Sequence, residues 1–425
     1  MNYPFWEVPL IGGGLVIAVI AILHVFVSHF AVGGGFFLAL TEARAYRDND
    51  QSLLEYVKTH SKFFLLLTVV FGAVSGVGIW FAIGLVHPDA TSLLIHTFVW
   101  GWAIEWTFFL IEVTAILIYY GSWGRLDART HLIIGWIYFV SAYLSLVVIN
   151  GILSFMLTPG NWLETRSFWH GFLNPSYFPS LVIRTGVALS LAGLYATFTA
   201  SGLFFAEVKK KVIRYSCKWV MTGAPLILLG GIWYNAVIPR KSLELVAGAA
   251  PPVTMFAFAT VLLSVIIFAF AYFIGFRHPE SFSRPLALMF LVLGLLVTGV
   301  TEWTREAVRK PYIIYGYMYS NSILKDELAL IKGKPILARA KWVATKEIFP
   351  WDYETGGAEV FRVQCAMCHT ISGYNGIKAL TVGWTEQDIY DALGRLERLR
   401  GIMPPFVGSD AERRALSAWL SSLNR

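Results

Sequence analysis

Long apolar runs recur along the first three quarters of the chain, separated by short polar stretches. Eight of them reach the length an α-helix needs to cross ~30 Å of hydrocarbon. They fall at about 10–41, 63–86, 92–120, 131–157, 180–206, 217–238, 252–276 and 285–306. The first run is overlong. Its opening, "MNYPFWEVPLIGGG", reads as lying along the membrane interface, with the span itself starting near Gly14. After the eighth run the pattern changes. Residues 313–352 are rich in Lys and Tyr and read as a linker. Residues 353–425 read as a compact domain with a helix at each end. The later helix, "SDAERRALSAWLSSL", has an acidic start and an apolar stripe through Leu416, Trp419 and Leu420. The expected fold class is all-α: a polytopic membrane helix bundle of about eight transmembrane helices, both termini outside, plus a small all-α domain. The domain division is 1–312, 313–352 and 353–425.

Composition agrees. Hydrophobic residues make up 56% of the 425 and charged ones 14%, against about a quarter charged in soluble domains. Charge also gives the orientation. One set of alternate loops holds Arg44, Arg47, Lys58, Lys62, Arg125, Arg129, Lys209, Lys210, Lys211, Arg214, Lys218, Arg277 and Arg284; the other holds only Arg166, Arg240 and Lys241. Basic loops stay cytoplasmic. The bias therefore predicts a multi-pass protein of a bacterial inner (cytoplasmic) membrane, with its C-terminal domain in the periplasm. It also accounts for much of the net charge of +7, so no nucleic-acid partner is implied. The first run is too long for a cleavable signal peptide and reads as a retained span.

The chain has 3 cysteines. Cys217 stands alone and reads as a small buried residue. Cys365 and Cys368 belong to "CAMCH", a specific signal for covalent c-type haem. The two thiols form thioethers with the porphyrin, and His369 supplies the proximal nitrogen. Met403, in the Pro-flanked "GIMPPF", is the candidate second axial ligand; a thioether sulfur favours ferrous iron. A zinc or redox CxxC is the weaker reading, because a zinc site needs four ligands and three cluster here. Residues 353–425 resemble a class I cytochrome c.

Ionisable residues inside apolar spans are costly and mark function by default. The first span carries His24 and His29, followed by Gly33–Gly35, which permit close approach of a neighbour or a flat ligand. The third carries Glu105 and Glu112, seven residues apart and so on one face. The eighth ends with Glu302 and Glu306 beside Arg305, Arg309 and Lys310. His24, His29 and His96 leave open a metal other than haem, although His96 reads as an interface residue.

"LHVFVSHF", "AIEWTFFLIE", "VVINGILSFMLTP" and "EAVRKPY", in that order, resemble the large subunit of cytochrome bd-type quinol oxidases over about residues 15–312. No one of these segments is as specific as CxxCH; the ordered set carries the likeness. The resemblance implies that His24 and Glu306 ligate embedded b- or d-type haem, one or two in number. It implies that Glu105 and Glu112 line the haems and a proton path. It also implies a second membrane subunit or a larger respiratory complex. Two departures stand out. Arg184 occupies the place of the histidine that holds the family's low-spin haem, where a guanidinium is not a normal iron ligand but can snorkel to the outer interface or pair with a haem propionate. The later methionine nearest the family's other low-spin ligand is Met255. The loop between spans six and seven is only "VIPRKSLELVAGAAPP", too short for the family's quinol site, so quinone is not expected as a partner here.

The favoured function is therefore a membrane respiratory haem protein passing electrons between a periplasmic c-type haem and embedded haem. As an oxidoreductase it would be a cytochrome c-fed, oxygen-reducing subunit, with a periplasmic cytochrome c or another donor supplying electrons. The alternatives are a non-oxidase electron relay between cytochrome c and quinone in a larger complex, and a membrane anchor in which only the c haem works.

Overall fold

The structure is a computed structural model and describes residues 3–349, 351–399 and 401–424. Among the described residues, eight helices are long and apolar enough to cross a membrane: Gly13–Arg47, Gln51–Val86, Val99–Gly121, Ala128–Phe155, Tyr177–Ala200, Ala206–Val237, Pro251–Phe276 and Arg284–Ala307. They run alternately up and down, so the first and last spans begin and end at the same end of the bundle. That end carries the C-terminal domain. The opposite end carries the basic loops and is called the basic end below.

Several helices outrun their apolar segments. The second begins at Gln51, not near 63, because Asp50 accepts from the Leu53 amide as an N-cap and a half-polar turn continues the helix beyond the hydrocarbon. The sixth likewise begins at Ala206, with its lysines in the first turns. The third span is two helices where one was expected. Pro88–Thr97 starts with Pro at its first turn, and Phe98 leaves helical geometry before Val99. His96 therefore lies on a short helix outside the span.

The first span is central and packs against the second, fourth, fifth and eighth. Its buried face is aromatic: Phe26 and Phe30 meet Tyr195, Phe30 also meets Phe64, and Phe37 meets Tyr215 and Trp219. The "GGG" run makes this possible. A Cβ on Gly33 would collide with the backbone oxygen of Ala188 in the fifth span, so the run serves helix–helix approach.

Residues 313–349 pack closely instead of forming an open tether. Tyr312–Ile314 pairs with Met318–Tyr319 as a small antiparallel hairpin. Ile313, Ile314 and Met318 pack on Ala90, Leu94 and Phe155 of the bundle. Further along, Ile331, Ile336 and Leu337 join the core of the C-terminal domain. In that domain Tyr353–Gln364 crosses Asp410–Ser422. The crossing is tight because Gly357 has no Cβ to press on the Ala415 carbonyl. Phe361 meets Trp419 at 5.1 Å between ring centroids. The last helix opens with a capping box of Ser409 and Glu412. Glu412 is 1% exposed and also accepts from the Ile336 and Leu337 amides at 3.0 and 2.8 Å. One buried carboxylate thus ties the 313–349 segment to the final helix.

Candidate haem sites

The CxxCH turn follows directly from the Tyr353–Gln364 helix. The amides of Cys368 and His369 both donate to the Cys365 carbonyl, at 3.0 and 2.9 Å. His369 Nδ1 lies 3.0 Å from the Asn375 carbonyl oxygen. A carbonyl only accepts, so Nδ1 carries the hydrogen and Nε2 keeps its lone pair for iron. Burial lowers the His369 pKa, which favours the neutral, ligating form. Asn375 is itself held by its amide donating to the Cys368 carbonyl. Met403 lies on a loop clamped to the same helix: Gln364 donates to the Val407 carbonyl at 2.6 Å and accepts from its amide at 3.0 Å. Replacing Gln364 with Ala leaves that buried backbone pair unsatisfied. The expected loss is about 1–3 kcal/mol in the C-terminal domain, read as an earlier thermal transition.

His24 shows the same tautomer logic inside the bundle. Its Nδ1 is 3.1 Å from Ser75 Oγ. That hydroxyl has one proton, directed at the Phe71 and Gly72 carbonyls at 2.8 and 3.1 Å. Toward His24 the oxygen therefore accepts, and Nε2 is left basic. His29 differs. Its Nδ1 is 2.9 Å from the Val25 carbonyl, and its Nε2 meets the Arg184 guanidinium at 3.4 Å. Both nitrogens are engaged, which suits a structural histidine. His96 bonds to the Ser92 carbonyl on its short helix. Among the described residues no three His, Cys, Asp or Glu side chains gather as a metal-ion site.

At the domain-bearing end, Arg184, Arg305 and Arg309 line one cavity of ≈ 20 Å³ with Ser180 and Tyr234. Arg305 pairs with Glu302 at 2.8 Å. Glu306 pairs with Arg309 and lies 3.6 Å from Lys310. Arg184 thus points into the bundle. Arg309 is 3% exposed. One of its terminal nitrogens lies 2.9 Å from the Met156 sulfur, and its Nε has no protein partner. The "SFMLTP" segment supplies this seat: Met156 carries Arg309, and Thr158, Asn174 and Ser176 form a buried hydrogen-bonded knot beneath it. His87, between the second span and the short helix, was not singled out from the sequence. It is electrostatically coupled to Glu306, Lys310 and Arg309, and burial lowers its pKa to about 4, keeping it neutral. Its Nδ1 is likewise buried without a partner. Sequence reasoning had only one clue to it, a histidine at a span end.

Glu105 accepts from Ser145 at 2.9 Å and Glu112 from Tyr138 at 3.1 Å. Both bonds cross from the third span to the fourth, so the two carboxylates do share a face. Met255 is 61% exposed on the bundle surface and does not reach this interior as a ligand. Cys217 is fully buried.

The fit to haem is good at three places. Two imidazoles have Nδ1 fixed and Nε2 available. Glu306 keeps free lone pairs beside Arg309. Orphaned nitrogens on Arg309 and His87 lie in its neighbourhood. A family model described as cytochrome bd terminal oxidase subunit I matches residues 15–241, more than half of the chain. The chain belongs to that family. A second model, described as cytochrome c oxidase, cbb3-type, subunit III, matches residues 354–420. The bd-type core therefore carries a C-terminal cytochrome c domain. Among solved structures, the bd oxidase from Geobacillus thermodenitrificans is similar in fold at a TM-score of 0.63 and 14% identity. The match covers 72% of this chain and 88% of that one. No curated protein matches. The bd family match ends before the eighth span, so Glu306 and its arginines rest on the geometry above and on the motif order.

Proposed function

We propose that this bd-family chain is an oxygen-reducing respiratory subunit that receives electrons through its own c-type haem, and that quinol is not oxidised at this subunit. Cys365 and Cys368 would hold that haem covalently, with His369 and Met403 as axial ligands. His24 and Glu306 would ligate embedded haem of b or d type. Among the described residues, Arg184, Arg305, Arg309 and Lys310 gather around two carboxylates, Glu302 and Glu306; the surplus of positive charge suits the two propionates of a haem. Bound haem supplies electron transfer and oxygen chemistry at iron. Glu105 and Glu112 would carry protons, which oxygen reduction consumes. Membership of the bd family supports a second membrane subunit, and the loop-charge bias supports a bacterial inner membrane with the cytochrome c domain in the periplasm.

One observation carries the reading. Ile402, next to Met403, packs against an apolar cluster of Leu157, Ile238, Leu245, Ala250, Val253 and Val308. The loop bearing Met403 therefore reaches the same cluster as Val308, which follows the turn bearing Glu306. The domain is docked further by the Tyr374 amide donating to the Leu10 carbonyl at 2.6 Å. Arg362 also lies 3.9 Å from Glu7, a carboxyl whose pKa burial raises. The short loop between spans six and seven folds as Arg240–Glu244 and a following turn, pinned by Ser242 to the Val308 carbonyl.

The test is a pyridine haem count with reduced-minus-oxidised spectra of the purified complex, with and without carbon monoxide. More than one haem per chain and a CO-shifted band are expected. A single c haem, or embedded haems blind to CO, would replace the oxidase reading with an electron relay or an anchor.

A further inference from the structure

The third and fourth spans are joined by more than the two glutamate contacts. Glu105, Glu112 and Tyr119 stand seven residues apart on one helix; Ser145, Tyr138 and His131 stand seven apart on its antiparallel neighbour. They pair in order. Glu105 meets Ser145 at 2.9 Å, and Glu112 meets Tyr138 at 3.1 Å. His131 Nε2 meets the Tyr119 carbonyl at 2.9 Å, with the two rings 4.3 Å apart. The result is a ladder of three polar rungs, each about 10.5 Å from the next.

The rung at the basic end is closed by a third helix. Glu42, from the first span, accepts from Tyr119 Oη at 2.7 Å, and its other oxygen lies 2.7 Å from His131 Nδ1. Glu42, His131 and Tyr119 are 0%, 2% and 1% exposed. Because Nε2 must donate to a carbonyl, His131 and Glu42 share one mobile proton through Nδ1. Tyr46, one turn beyond Glu42, interacts electrostatically with its carboxylate and is only half-buried. It connects the cluster to the aqueous edge, where Asp127 caps the fourth span one turn before His131. The second span closes the side through Trp123 donating to Ser61. A purely structural tie does not require a buried carboxylate–imidazole pair, since apolar side chains commonly fill such volume at no loss.

We propose that Glu42, His131 and Tyr119 form the proton-loading end of a relay that runs along this ladder to Glu105. A proton from the basic side enters through Tyr46 onto the Glu42–His131 pair and displaces the shared one toward Tyr119. It then passes by way of Tyr138 and Glu112 to Glu105, with one or two waters in each gap, about 2.8 Å per hydrogen bond. Each proton taken up at Glu42 is matched by one delivered from Glu105. The inference rests on the oxygen-reducing reading and names where its protons enter.

The experiment uses the intact complex in vesicles, driven by a reduced mediator and oxygen, with a pH dye on one side at a time. The variants are E42Q, H131Q and E112Q. E42Q and H131Q are expected to slow uptake from the basic side at least tenfold per haem, with CO spectra and haem content unchanged. Wild-type uptake in E42Q and H131Q, alongside slowed uptake in E112Q, overturns the inference and leaves the oxidase reading standing. If E112Q also takes up protons normally, the ladder is not the path and the inference falls; if the wild type consumes no oxygen, the oxidase reading fails and the inference with it. If E42Q does not assemble, H131Q decides alone. Haem loss in both, with normal uptake per remaining haem, marks the cluster as structural and overturns the proposal.

Discussion

Replacing His24 with Ala is expected to leave the c haem in place, abolish the CO-shifted band, and reduce oxygen consumption at least ~100-fold. Loss of an orienting neighbour of a metal ligand already costs about 10–100-fold in affinity, and here the proposed ligand itself goes. The geometry behind the expectation is the Ser75 hydroxyl, whose only proton is committed to the second span's carbonyls. It fixes the imidazole with Nε2 available. Ser75→Ala is therefore the companion: the ligand stays but can rotate, and a partial loss of embedded haem should follow. Haem counts and CO spectra on both variants, normalised to the c haem, decide the matter. A His24→Ala protein that keeps its CO band would remove His24 from the ligand set.

The second large effect is expected at Arg309. Its side chain is enclosed, paired to Glu306, set against the Met156 sulfur, and left with an unpartnered Nε. Arg309→Ala strands the Glu306 carboxylate with only Lys310 at 3.6 Å. Arg309 is enclosed but the Glu306 side chain is 45% exposed, so water screens the stranded carboxylate and the expected cost is about 1–3 kcal/mol. A lower melting temperature and faster release of embedded haem should appear together. Arg309→Lys restores charge but not the planar fork, so it should recover stability more than haem retention. Wild-type melting and haem release in Arg309→Ala would exclude it as the anchor of this corner.

The number of spans was legible because hydropathy measures the solvent each residue meets. Where each helix ends was less legible, because helices continue into water on caps and polar turns that hydropathy does not see. That error hid a site. Ending the first span near 41 made Glu42 look like a loop residue, although the helix runs to Arg47 and buries it completely. His131 was hidden in the same way, as the first residue of its expected span. The intramembrane acids themselves were visible, since charge in lipid is conspicuous at any register. Their partners were not: Ser145, Tyr138 and Ser75 are ordinary residues until tertiary packing sets them opposite a carboxylate or an imidazole. The CxxCH site was legible from spacing alone. The clamp from Gln364 to Val407 was not, because it joins residues 43 apart in sequence.

The Cys365 thiol has a bearing on how the molecule comes to exist. In the finished domain, burial pushes that thiol up to about 12, so almost none of it is thiolate at neutral pH, and the thiolate is the reactive form. The flanking helix is closed over by Asp410–Ser422, which Glu412 in turn ties to the segment leaving the bundle. Cys365 keeps partial exposure and Cys368 is exposed, so a polypeptide that completed this packing first would meet the porphyrin with one thiol slowed, not lost. Attachment is expected to run faster while the 353–425 segment is still open, before the final helix closes over it. The C-terminus then acts as the clasp on the product, and a chain that fastens it early is expected to colour late.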